Sequence, residues 1–248
     1  MILSLEKKKL KRTGFFPSFL CGTVISCLVP VLNMAVRSEL YTGLEGNPLE
    51  ILLDANWQMM EMLNIFLIVT ASCIMYHTEY ADHALRKMNT LPQNPCLMFL
   101  SKALLMFLSS SAMLLAEFLV LILCVRHWFP GFRPDSADYL KYLGYSVLLI
   151  LPAILFMLLI ASLCENMWIS LGIGVICVFI TAISPSGNFV LSLFPFTLAF
   201  QTLHMADTNI AAGFSCAAVL ETTAIGLAKY LILKKKLLLI HPGQEEFS

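Results

Sequence analysis

"PCLMFLSKALLMFLSSSAMLLAEFLVLILCV", Pro95–Val125, decides the class of this fold. Only Lys102 and Glu117 carry charge across that run. A bilayer core about 30 Å thick needs roughly 20 apolar residues in a helix, so this run can cross it with length left for tilt or an interfacial turn. The rest of the chain is of the same kind. Hydrophobic residues fill 58% of the 248 positions and charged residues only 13%, with a mean hydropathy of +0.80. Soluble domains average about 45–50% and about 25% on similar counts. The reading is an all-α polytopic membrane protein, because each span in lipid must satisfy its own backbone hydrogen bonds.

Working outward from Pro95–Val125, five further apolar runs lie between charged breaks: Phe15–Val36, Trp57–Tyr76, Tyr142–Cys164, Trp168–Ser184 and Ile210–Leu233. Six spans put both termini on one side. With that side cytoplasmic, twelve Lys and Arg lie inside (Lys7, Lys8, Lys9, Lys11, Arg12, Arg86, Lys87, Lys102, Lys229, Lys234, Lys235, Lys236). Four lie outside (Arg37, Arg126, Arg133, Lys141). The positive-inside rule selects that orientation. The acidic first outer loop agrees, with Glu39, Glu45, Glu50 and Asp54. The start, "KKKLKRTGFFPSFLCGTVISCLVPVLNMAV" (Lys7–Val36), imitates a signal peptide, but its apolar run exceeds the 7–15 residues of an h-region. It predicts an uncleaved first span. The apolar stretch 184–209 is broken by Pro195 and its apolar core is short of a crossing. It is read as short helices lying at, or dipping into, the outer face.

Between spans two and three lies "HTEYADHALRKMNTLPQNP", His77–Pro95. Ala81, Ala84, Leu85 and Met88 follow i, i+3, i+4, i+7 and share one helical face. Glu79, Asp82, His83, Arg86 and Lys87 form the other, with Asp82 and Arg86 in the favourable acid-first order. Pro92 stops the helix and Pro95 opens the next. Two readings stay open: a linker resting on headgroups, or a helix that docks into a protein groove. The two alanines and the mixed-sign polar face favour docking over lipid insertion.

Catalytic motifs are missing. No Gly is followed by Lys, so no phosphate loop of the G-x-x-x-x-G-K-[ST] type exists, and neither H-E-x-x-H nor G-x-S-x-G occurs. The eight cysteines are scattered without C-x-x-C spacing and read as small hydrophobes. Ser101–Lys102 are adjacent on a helix and do not face each other, so the lysine reads as an interfacial one. A non-enzyme without its own cofactor or metal is expected, and no nucleic-acid partner. Glu61, Glu117 and Glu221 stand inside apolar runs, with Asn64 one turn from Glu61. Intramembrane carboxylates are costly and point to a polar path or a partner. By helical rise all three fall in the outer half of the bilayer. They are the candidate translocation-path residues; the alternative is hydrogen bonding between helices, or an interfacial position for Glu61.

The pattern of Glu79, Leu91–Pro92 and Lys102 between spans two and three resembles permease subunits of the ABC-2 type. So does "LEKKKLKRTGFFPSFL" (Leu5–Leu20), a basic stub running straight into span one. Within that superfamily, "ILLDANWQMMEMLNIFLIVTASCIMYHTEYADHALRKMNTLP" (Ile51–Pro92), the length and the six spans are most similar to lantibiotic-immunity and bacitracin-type export permeases of Gram-positive bacteria. The topological resemblance covers the whole chain.

The resemblance implies one transmembrane domain over 1–248, with a basic cytoplasmic stub (1–14), a coupling helix (77–92), an outer re-entrant segment (184–209) and a cytoplasmic tail (234–248). It also implies that the coupling helix sits in a cleft of a separate ABC ATPase, which holds ATP and Mg. The contact residues would be Glu79, Ala81, Asp82, Ala84, Leu85, Arg86, Met88, Leu91 and Pro92. A second permease subunit, identical or not, would complete the path in a bacterial plasma membrane. Immunity to lantibiotic-like peptides is the implied function. Export of an ion or small drug, an ATP-independent transporter and a membrane assembly factor are the alternatives.

Overall fold

The computed structural model describes residues 2–11, 13–80, 95–132, 136–183, 189–204 and 208–240. Every regular element among them is helical. In chain order they are α1 (Ile2–Leu10), α2 (Phe15–Thr42), α3 (Pro48–Tyr80), α4 (Pro95–Trp128), α5 (Ser136–Leu149), α6 (Leu151–Leu163), α7 (Met167–Ile183), α8 (Phe189–Ser192), α9 (Pro195–Leu198) and α10 (Thr208–Ile240). Five stretches are long and apolar enough to cross a membrane: α2, α3, α4, Ala137–Leu163 and Asn209–Lys235. The sixth expected span is the shorter α7, whose 17 residues rise about 25 Å.

The chain alternates between two ends of the bundle. α1 and the roots of α2, α3, α4, α6, α7 and α10 define the basal end. The α2–α3 turn, the start of α5 and the α9 region define the distal end. Helix starts follow local chemistry. Asn47 caps α3, its Oδ1 accepting the Leu49 N–H at 3.1 Å, with Pro48 in the first turn and Glu50 Oε1 receiving Asn47 Nδ2. Asn166 caps α7 in the same way through the Trp168 N–H at 2.9 Å. Gly14, with φ of 81°, makes the turn that lets α1 fold back beside the root of α4.

Two helices run differently from the plain hydropathy reading. α2 continues past Val36 to Thr42 across a break at Arg37 (φ −130°, ψ 28°). The fourth run is divided at Ile150 into α5 and α6, beside Pro152, which has no backbone N–H to donate. The basic stub is helical over Ile2–Leu10.

α3 is the central helix, packed by α2, α4, α6 and α7, while α10 lies outermost against α5 and α6. Close approach is bought with glycine. A Cβ on Gly174 of α7 would stand 2.5 Å from Val69 Cγ1, and one on Gly22 of α2 would collide with Leu67. Small residues at such crossings replace the hydrophobic driving force that lipid does not supply. Between α7 and α10, the described part of the 184–209 stretch holds α8 and α9. Phe194 and Phe196 stack on each other, and each meets the Phe156 ring of α6 edge-on, at 5.8 Å.

Candidate functional site

The basal end carries a buried ion cluster. Lys102, two turns into α4, reaches Glu6 Oε2 of α1 at 2.7 Å and Glu79 Oε1 at the foot of α3 at 2.7 Å. The Glu79 contact is an ion pair without hydrogen-bond alignment. Lys9 adds a second ammonium, 2.9 Å from Glu6 and 3.7 Å from Glu79. The Tyr76 ring lies 5.6 Å below Lys102 Nζ. Glu6 and Lys102 are each 2% exposed and Glu79 4%. Two acids and two ammoniums balance, which is what makes burial of the set affordable. Burial pushes the Glu6 carboxyl up, but Lys102 and Lys9 outweigh it and hold the group below its ordinary value.

A second basal tie stands beside it. Tyr80 Oη donates to the Ser162 carbonyl and Lys229 Nζ to the Ser162 hydroxyl, both at 2.7 Å, joining α3, α6 and α10. Next to these roots opens a recess of about 700 Å³, lined by Thr13, Ile74, His77, Thr78, Glu165 and Asn166 among others.

The resemblance pointed to Glu79 and Lys102, and the fold brings them into contact. The resemblance gave Lys9 only as part of the basic stub and did not single out Glu6. An acid inside a basic run was the only signal for Glu6. Of the other coupling residues, Ala81, Asp82, Ala84, Leu85, Arg86, Met88, Leu91 and Pro92 lie outside the described residues.

The bundle core carries a polar cluster. Glu117 of α4 receives the Ser26 hydroxyl of α2 on Oε1, and Asn64 Nδ2 of α3 on Oε2 at 3.0 Å. Glu61, one turn before Asn64, lies within electrostatic reach of both Glu117 and Asn64. Glu61, Asn64, Glu117 and Ser26 are all at most 1% exposed. Toward the distal end, Asn33 Nδ2 donates to Asn56 Oδ1 at 2.8 Å, continuing the polar line between α2 and α3. Three of the four candidate path residues therefore meet. Glu221 stands apart on the outermost helix, half-buried, its Oε2 without a hydrogen-bond partner.

A third set of polar contacts closes the distal end. Glu50 accepts from Tyr142 Oη at 2.9 Å and sits 3.1 Å from His204 Nδ1, while His204 Nε2 lies 3.8 Å from Asp54. It fastens the α9 region to the start of α3. Among the described residues, no three His, Cys, Asp or Glu gather as a metal site would require.

Residues 2–181 match the family described as "ABC-2 family transporter protein". The match takes in both buried clusters and ends within α7, before α10. No curated protein and no solved structure matches the chain.

Proposed function

We propose a function from one premise: the chain belongs to the ABC-2 transporter family, and is thus a multi-pass membrane permease of an ABC transporter. Our reading is a non-catalytic subunit with both termini in the cytoplasm, so that the basal end faces the cytosol. A separate ATPase docks on the segment that follows Glu79, and a second permease chain completes the path. The exported substrate is a lantibiotic-like antimicrobial peptide, expelled across a bacterial plasma membrane.

The observation that carries this reading is the Glu6–Lys102–Glu79 cluster. Glu79 precedes residues 81–94 and Lys102 follows them, so a force applied there by a partner meets two helices already tied together, with α1 tied to both. The load passes into α3, the helix packed against most of the bundle. The recess beside His77 and Glu165 offers a concave surface on the same face.

The test has two arms. Leu85→Asp and Arg86→Glu are expected to abolish co-purification with a co-expressed ABC ATPase and to leave the membrane level of the permease unchanged. Deleting the gene sensitises the cell in a panel of lantibiotics and bacitracin. A purified chain that transports with no ATPase present would sink the coupling reading. Sensitivity to an ion or a small drug alone would move the substrate to that class.

A further inference from the structure

Two acceptor oxygens in the α2–α3–α4 core are left over. Glu61 Oε2 and Asn64 Oδ1 are both enclosed and neither has a hydrogen-bond partner. Asn64 is aimed into the cluster, since its Nδ2 donates to Glu117. Glu117 has a donor on each oxygen, Ser26 on one and Asn64 on the other, the arrangement that suits a charged carboxylate. Glu61 has no such pair.

The surroundings add no counter-charge. Among the described residues no Lys, Arg or His forms an ion pair with Glu61 or Glu117. The other titratable side chain facing the pair is Cys27 of α2, which interacts with Glu117. α6 and α7, the remaining helices packed on α3, bring no titratable group into the interactions of either carboxylate. Ser26 falls near the middle of the Phe15–Val36 run, so the cluster lies deep within the apolar part of the bundle. Two neighbouring carboxylates at such a site do not both hold a negative charge.

One proton resolves the surplus of acceptors. Placed on Glu61, it supplies an O–H that can donate to Asn64 Oδ1, one turn along the same face of α3. A single charge then remains on Glu117, spread over two hydrogen bonds. We propose that Glu61, Asn64, Glu117 and Ser26 form a proton-binding site, with the proton carried on Glu61. The site goes beyond the ATPase reading and does not depend on it, because it needs only these three helices.

The full chain in lipid nanodiscs serves as the test, read by infrared difference spectroscopy at neutral pH. A carboxylic-acid C=O band is expected that disappears in Glu61→Gln and survives in Glu221→Gln. In Asn64→Leu the band is expected to move to higher frequency, because the acid loses its acceptor. This second variant keeps the test alive where Glu61→Gln does not fold. A Glu61→Gln protein whose acid band matches the unsubstituted chain overturns the assignment, as does a band unmoved by Asn64→Leu. An inorganic cation is the competing occupant. Trp57, one turn from Glu61, reports on it by fluorescence: a response to sodium, potassium or calcium at fixed pH, with none to pH, overturns the proton in favour of the metal.

Discussion

Lys102 Nζ lies 2.7 Å from Glu79 Oε1, joining the end of α3 to the start of α4. The same nitrogen is 2.7 Å from Glu6 on α1. One ammonium therefore holds three helix ends, and it is almost fully enclosed. A buried charge with partners is a poor source of net stability, but removing one partner strands the others.

Glu79→Gln and Lys102→Met are each expected to destabilise the bundle by about 3–5 kcal/mol. Thermal unfolding in detergent reads this. Replacing the set together (Glu6→Leu, Glu79→Leu and Lys102→Met) recovers much of the loss, because no enclosed charge remains and the ammonium left over, Lys9, is 40% exposed and reaches water. A triple variant no more stable than the worst single one would show that the cluster stabilises as a unit.

Acidification is expected to loosen α1. The Glu6 carboxyl is held below its ordinary value of 4.5 by Lys102 and Lys9 against the effect of burial. A depressed folded value means stability is fully present above about pH 5, begins to fall near the unfolded value, and is gone below the folded one. Protease sensitivity of the Ile2–Leu10 helix should therefore rise as pH drops through that window. In Glu6→Gln it should be high at neutral pH and flat across the window.

How much of this was legible follows from what each feature depends on. Five helices long enough to cross, and the shorter α7, coincide with the apolar runs, because span hydropathy is a local property. Glu79 and Lys102 were legible through the ABC-2 resemblance, whose pattern places them on either side of residues 81–94. Ser26 was not: a serine in an apolar span gives no sign of whether it faces lipid or a carboxylate on α4. The division at Ile150 had Pro152 as a signal, yet hydropathy alone reads Tyr142–Cys164 as one run. His204 lay in a segment whose partners are distant in sequence, so its contact with Glu50 was unreadable.

Gly174 is expected to tolerate no side chain of size. Val69 opposite it is β-branched and stiff, and Met157 Sδ stands 3.1 Å from the added Cβ. Gly174→Val should cost about 1–3 kcal/mol by overpacking. Gly172→Val, two residues away with open space around it, is the control and should leave thermal stability nearly unchanged. Equal losses in both would place the cause in helix propensity instead of the α3–α7 crossing.

The distal contacts should restrain the α9 region. Glu50→Gln removes the charge that His204 meets at 3.1 Å and weakens the acceptor for Tyr142. Hydrogen exchange is expected to quicken over residues 195–204 and to stay unchanged at the basal cluster. Tyr142→Phe should produce the smaller effect, since it removes one hydrogen bond worth about 1 kcal/mol. Exchange that does not respond to Glu50→Gln would mean that packing of Phe194 and Phe196 on α6 alone holds the segment.

The proposed orientation rests on where the fold gathers charge. Lys7, Lys8, Lys9 and Lys11 sit at the basal end with Lys102 and Lys229, whereas Glu39, Glu45, Glu50 and Asp54 sit at the distal end. Basic residues are retained on the cytoplasmic side during insertion, so the basal end should be inside. With the eight natural cysteines replaced, single cysteines at exposed positions read this directly in intact cells. A membrane-impermeant maleimide should label Glu45→Cys, and should label Lys8→Cys and Lys235→Cys only after lysis. Lys235 is the sharper probe. α10 returns the chain to the basal end, and a further crossing within 184–209 would move Lys235 outside. Labelling of Lys235→Cys in intact cells, with Lys8→Cys protected, would therefore overturn the six-span topology, while labelling of both would invert it.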